Sequence, residues 1–124
     1  MEDTFSVANA LSGVFYIATT DGDQPHVRPF DGAVIIDGHF YIGTGRQKDV
    51  FKQIKKNPKI EIFSMEQNLV RFTAEAFPVD DKKLNQKIYE ALGKDFNDDS
   101  VALELKNAKG TFQDSMGEKT DFSF

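Results

Sequence analysis

Asp37-Gly38 is all that separates two short runs rich in β-formers, Ala33–Ile36 and His39–Ile42. That pair supplies the positive φ of a type I′ turn, so the two runs must fold back on each other as a hairpin. The same grammar recurs upstream. Gly13–Thr20 is β-branched and aromatic, Asp21-Gly22-Asp23 turns the chain, Pro25–Phe30 returns, and Asp31-Gly32 interrupts. Downstream, Lys59–Phe63 alternates, Glu66-Gln67-Asn68 turns, and Leu69–Phe77 reads as a longer strand. Val101–Leu105 alternates again, a turn is expected over Asn107–Gly110, Thr111–Asp114 returns, and Phe122–Phe124 fits a last edge strand.

Helical periodicity breaks this pattern three times. Phe5–Leu11 fits a short helix. Val50, Phe51 and Ile54 share one face of a second while Lys48, Lys52 and Lys55 line another, and Asn57-Pro58 stops it. Asp80 or Asp81 caps a third, with Leu84, Ile88, Ala91 and Leu92 as its apolar stripe and Gly93 at its end. Five or six mostly antiparallel strands with inserted helices predict a mainly β fold closed as a barrel, which removes free edges. Alternating βαβ units are missing, which excludes a doubly wound sheet. With 124 residues, no repeat and no linker, the chain is expected to form one domain over 1–124.

Charge localises the first functional clue. The chain carries net −5, which disfavours a nucleic-acid partner. Yet Arg46, Lys48, Lys52, Lys55, Lys56 and Lys59 crowd one window with a single acid, Asp49. In His39–Ile54 a strand ends, Gly43-Thr44-Gly45 turns, and a helix begins, with Thr44 just before it and Lys48 in its first turn. Unpaired N–H groups and the positive end of the dipole at such a point favour an anion. Equally, Thr44 caps the helix and the lysines solvate its outer face; the residues alone leave both readings open. The spacing of a nucleotide-triphosphatase loop is absent.

Arg28 is the only basic residue before Arg46, and its planar fork suits a phosphate. Pro29 removes a ladder donor beside it, which places this strand at an edge and leaves the backbone of Phe30–Gly32 open to a planar heteroaromatic ligand. The alternative is a surface pair between Arg28 and Asp31. His26 and His39, with no cysteine in the chain, make a poor metal set, so no metal is expected. Asp80-Asp81 and Asp98-Asp99 fit caps and turns better than acid–base work. No catalytic side chain is assigned. An acidic start without a basic flank, and no apolar run of about 20 residues, predict a cytoplasmic chain without a membrane partner.

Four segments, in order, carry a resemblance: Tyr16-Ile17-Ala18-Thr19-Thr20-Asp21-Gly22; Pro25-x-Val27-Arg28-Pro29-Phe30; Asp37-Gly38-His39-Phe40-Tyr41-Ile42-x-Thr44; and Lys48-x-x-x-Lys52-Gln53-x-x-Lys56-Asn57-Pro58. Over about Leu11–Phe77 the chain resembles the short FMN-binding split-barrel proteins related to pyridoxamine 5′-phosphate oxidase, in particular the general-stress and flavin reductase-like branch. The resemblance implies a six-stranded antiparallel split barrel. It also implies a homodimer with FMN sites between subunits and a small-molecule substrate. By that analogy Arg28 and Lys48 bind the FMN phosphate, with Thr44 and Gln47 assisting. Pro29 and Phe30 lie along the isoalloxazine edge, and Tyr41 ends the strand beneath the cofactor. Gln53 belongs to the pattern, and Phe112 is the candidate ring from the partner.

The function implied is an FMN-dependent oxidoreductase passing electrons from a reduced nicotinamide or similar donor to a small acceptor. A non-catalytic flavin or haem module is the alternative from another class. Pyridoxamine 5′-phosphate oxidation itself is disfavoured, because nothing after Gly110 resembles the substrate-closing end of that oxidase.

Overall fold

The computed structural model describes residues 7–66 and 68–124. Residues 7–10 are helical, in keeping with the expected first helix, whose residues Phe5 and Ser6 lie outside the described set, as does Gln67 of the expected turn. Eight strands and two further helices follow: β1 (Val14–Asp21), β2 (Gln24–Asp31), β3 (Ala33–Ile36), β4 (His39–Gly45), α1 (Asp49–Lys56), β5 (Lys59–Ser64), β6 (Leu69–Pro78), α2 (Lys82–Leu92), β7 (Ser100–Gln113) and β8 (Lys119–Ser123). The strands make one antiparallel sheet in the order β2-β1-β5-β6-β7-β4-β3, with β8 added to β7. The expected mainly β, antiparallel split barrel is what forms. Its ends, β2 and β3, are joined through Gly32 (φ +81) yet do not pair with each other.

Among the described residues the strands number eight rather than six, because the short β3 and β8, each one arm of a hairpin, form strands of their own. Asp37 (φ 52) and Gly38 (φ 81) form the turn into β4, with Ile36 opposite His39. Asp114 Oδ1 accepts from the N–H groups of Met116 and Glu118 at 2.9 Å each, shaping the turn into β8. The turn expected over Asn107–Gly110 is instead a bulge inside the continuous β7. Asn107 takes a positive φ of 55° and the register against β6 slips between Thr73 and Glu75. A bulge bends the strand without reversing it. β7 can therefore pair with β4 through Ser100–Leu105 and with β8 through Lys109–Gln113.

The barrel interior is built from phenylalanine and aliphatic residues. Phe15, Ile17, Phe40, Ile42, Ile62, Val70, Phe72 and Leu103 are fully buried there, and α1 closes the cluster with Val50, Phe51 and Ile54. Phe40 stacks on Phe124 with centroids 5.1 Å apart, and Phe72 meets Phe122 edge-on at 5.5 Å. Such pairings add to the burial of their large apolar area.

A second, smaller cluster lies under α2: Tyr41, Val79, Ile88, Tyr89 and Ala102. Asp81 caps α2 by accepting from the Leu84 N–H at 3.2 Å, and Gly93 (φ 70) ends it, as expected. The buried face differs from the predicted stripe. Ala91 is exposed, while Asn85 and Tyr89 are buried. Asn85 tolerates burial because its amide donates to Val79 O (2.8 Å) and Asp81 O (3.1 Å) and accepts from the Ala102 N–H (2.7 Å). Among the described residues, no helix is long and apolar enough to cross a membrane.

Candidate functional site

Between the end of β2, β4 and the start of α1 lies a cavity of about 290 Å³, lined by Val14, Pro29, Phe30, Asp31, Gly43, Lys48 and Lys94. Three elements meet here because of local sequence. Pro29-Phe30-Asp31 ends the edge strand, Gly43 keeps the wall of β4 thin, and the segment after Gly45 brings Lys48 across. A Cβ on Gly43 would stand 3.1 Å from the Tyr89 ring and 3.3 Å from Leu92 Cδ1, so even alanine there would make those side chains give by a few tenths of an ångström. Phe30 packs on Phe15 (centroids 6.0 Å apart), which fixes the apolar wall. A larger hollow of about 480 Å³ against β7 and β8 is lined by Lys109, Gly110, Thr111, Asp121, Phe122 and Ser123, none of them a predicted site residue.

Of the seven predicted residues, then, Pro29, Phe30 and Lys48 share one cavity. Arg28 is half-buried on the neighbouring stretch of β2 and does not line it. Its guanidinium donates to Thr19 Oγ1 (2.8 Å), Gln53 Oε1 (2.9 Å) and Ile17 O (3.3 Å). Thr19 also donates to Gln53 Oε1 at 2.5 Å. Burial lowers the Arg28 pKa and the charge of Asp49 partly restores it, with the group staying cationic throughout the useful range. Gln53, a member of the pattern with no assigned role, thus ties α1 to β1 and β2. The alternative pairing of Arg28 with Asp31 does not occur; Asp31 is bound to Lys94 at 2.6 Å.

The start of α1 differs from expectation. Lys48 is the residue preceding the helix rather than a member of its first turn, and its side chain makes no cap. Thr44 does not cap it either: it is buried in β4, 8% exposed, and its Oγ1 is the one buried side-chain polar atom without a partner among the described residues. The N–H groups of Arg46, Gln47 and Lys48 are already committed, to Asp99 O (2.7 Å), Asp99 Oδ1 (2.9 Å) and Gly45 O (3.2 Å). Gln47 is exposed, anchored by that backbone bond. The anion-attracting charge is therefore the Lys48 ammonium more than the turn's backbone, since Asp99 takes two of those donors and Asp49 sits on the first turn.

Tyr41 points away from the barrel interior into the cluster under α2, 4% exposed, and burial raises its pKa with help from Glu104 and Asp37. Tyr89, buried beside it, reaches Thr44 O at 2.5 Å and Val101 O at 3.1 Å and has its pKa raised by the same cause. Phe112 is half-buried against the main core. His39 pairs with Glu104 at 2.6 Å, and His26 faces a groove with Asp21, Asp49 and Lys52. Asp81 and Asp99 serve as cap and turn acceptor, as read from the sequence.

Sequence reasoning missed Lys94 and gave Thr19, though part of the pattern, no role of its own. Lys94 followed a legible helix stop, but its partner Asp31 lies 63 residues away, and no local pattern reports such a meeting.

Comparison with known proteins places this geometry. The family model described as pyridoxamine 5′-phosphate oxidase matches residues 5–114. A NimC/NimA family protein from Clostridium acetobutylicum superposes with a TM-score of 0.85 at 32% identity, covering 100% of this chain and 92% of that one. General Stress Protein 26 from Bacillus anthracis gives 0.70 at 17% identity, covering 98% and 100%. A pyridoxamine 5′-phosphate oxidase-related, FMN binding protein from Nostoc punctiforme gives 0.65 at 12% identity, covering 97% and 95%. No curated protein matches the sequence.

Proposed function

The chain belongs to the pyridoxamine 5′-phosphate oxidase family, and on that premise we propose that it is an FMN-binding oxidoreductase whose cofactor occupies this cavity. The observation that carries the reading is the meeting of Pro29, Phe30 and Lys48 in one hollow beside the edge strand β2. An apolar wall facing Lys48, with Lys94 paired to Asp31 at its side, suits a flat ring bearing a charged tail. The residues present fit that group: Lys48 offers an ammonium beside the apolar Pro29-Phe30 wall, and the unpartnered Thr44 hydroxyl lies buried next to Gly43 of the lining, outside the cavity itself.

FMN, when bound, supplies hydride and electron chemistry; the protein supplies binding, orientation and electrostatics. Lys48 neutralises phosphate charge. Arg28, held by Thr19 and Gln53 on the neighbouring stretch of β2 outside the lining, would add positive charge toward the phosphate, and Gln47 a polar side chain at the loop. Pro29 and Phe30 present backbone and ring edge to the isoalloxazine, and Tyr41 stiffens β4 from behind. No side chain is asked to act as acid or base.

Val14, which lines the cavity, and Tyr16 and Val27 nearby are exposed apolar residues on β1 and β2, 37%, 43% and 69% exposed. A homodimer that covers this face and closes the site is the assembly we infer. A small electron acceptor then reaches the ring from the remaining opening.

Titration of the purified protein with FMN, followed by flavin absorbance and fluorescence, tests the reading. Saturable quenching is expected, with bleaching on addition of NADH or NADPH and recovery in air. A protein that takes up no FMN contradicts the flavoprotein assignment; one that binds FMN and never bleaches with any donor is a carrier.

A further inference from the structure

Lys94 stands where three constraints converge. Its N–H donates to Tyr89 O at 3.0 Å and that of Gly93 to Glu90 O at 3.0 Å, closing α2 in a Schellman motif that fixes the backbone from which the side chain leaves. Its ammonium then donates to Asp31 O (2.8 Å) and Asp31 Oδ1 (2.6 Å). The stem runs past Gly32, whose φ of +81° favours glycine, with Lys94 Cε 3.8 Å from the position a Cβ would take. The Lys94 side chain is 32% exposed, half as much as that of Asp31 at 68%. Both line the cavity with Lys48 and the Pro29-Phe30 wall. Two ammonium groups and one carboxylate face that hollow.

These cations differ in what they can discriminate. A phosphate carries the same charge whether the ring attached to it is oxidised or reduced, so a lysine bound to it adds affinity without preference. A cation held near the ring does discriminate. Transfer of a hydride from a reduced nicotinamide breaks the donor's C–H bond, leaves the donor as a cation, and adds one negative charge to a ring that was neutral. In a half-buried site that charge interacts strongly with a fixed ammonium.

We propose that Lys94 is a second cationic residue of the cofactor cavity and sets its preference for reduced over oxidised flavin, with Asp31 holding the ammonium in place and damping its charge. The inference rests on the flavin reading above. Asp31 immediately follows Phe30, which puts the clasp beside the apolar wall. The Asp31 carboxyl is held below its ordinary pKa, chiefly by the hydrogen bond from Lys94 and then by its charge, so the clasp persists at neutral pH.

The test compares wild type with Lys94→Met, Lys94→Arg and Asp31→Asn. Oxidised FMN affinity is read by fluorescence quenching, and the midpoint potential of the bound flavin by equilibration with a reference dye. Lys94→Met is expected to keep oxidised FMN affinity within about threefold while weakening the reduced form about tenfold more, a fall of about 30 mV for a two-electron couple. Lys94→Arg should stay near wild type, and Asp31→Asn should raise the potential by unmasking the ammonium. Equal loss of both redox forms in Lys94→Met, or no change in their ratio, overturns the proposal while leaving the flavin reading standing. If wild type itself takes up no FMN, both fall.

Discussion

Inside the barrel, Phe40, Phe72, Phe122 and Phe124 meet ring to ring, and with Phe15, Ile17 and Leu103 they close the space with hydrocarbon alone. Along the open side between β2, β4 and α1 the chain buries polar groups instead: Arg28 with Thr19 and Gln53, and Thr44 with its hydroxyl unpaired. A half-buried guanidinium and an orphan hydroxyl each cost desolvation that an apolar side chain would avoid. The same sheet shows that this protein can pack an interior without them. We read the polar side, on that contrast, as the part of the fold that serves the proposed site.

If that division is sound, substitutions on the two sides must fail in different measurements. The largest effect belongs to the interior. Phe72→Ala should cost about 3–5 kcal/mol of unfolding free energy by denaturant titration, while the folded fraction keeps its FMN affinity. Arg28→Ala and Lys48→Ala reverse the pattern. Each should weaken FMN binding by about 1.5–3 kcal/mol if it makes charge-assisted hydrogen bonds to the phosphate. Lys48, exposed and making no cap, should leave the melting temperature in place. A variant of Lys48 that melts early yet binds normally would erase the distinction between the two sides.

Thr44→Val sharpens it further. Removing an unpartnered buried hydroxyl should leave stability unchanged or slightly raised, and lower FMN affinity by about 1 kcal/mol. The smallest effect concerns acid. Because the Asp31 pKa is lowered in the folded protein, its pair with Lys94 stabilises above the unfolded carboxyl's ordinary value, near 3.9. That contribution disappears as pH falls through the folded value. The unfolding free energies of wild type and Asp31→Asn should differ by a constant amount above about pH 5 and converge on acidification. Salt should shrink the gap, since the Asp31 side chain is 68% exposed.

What could be read in advance followed the range of the responsible interactions. Asp37-Gly38, the Asp81 cap and the Gly93 stop are local chemistry, decided within a few residues, and each emerged where expected. Asn107–Gly110 was legible as an irregularity but not as a bulge, because Asn and Gly permit the same positive φ in both; the pairing of β7 with three neighbours decided it. At the candidate site, Pro29, Phe30 and Lys48 could be foreseen from an edge proline and a helix start. Arg28 held by Gln53 across 25 residues, and Asp31 by Lys94 across 63, could not, since only the closed sheet brings them within reach.

One comparison of ligands goes to the centre of the account. FMN and riboflavin share the ring and differ by the phosphate, so titrating both into wild type and Lys48→Ala separates the apolar wall from the cation. The account expects wild type to bind FMN at least about tenfold more tightly than riboflavin, and Lys48→Ala to lose most of that advantage while binding riboflavin as before. Equal affinity for the two ligands in wild type, or an FMN preference untouched by removal of the ammonium, would contradict it.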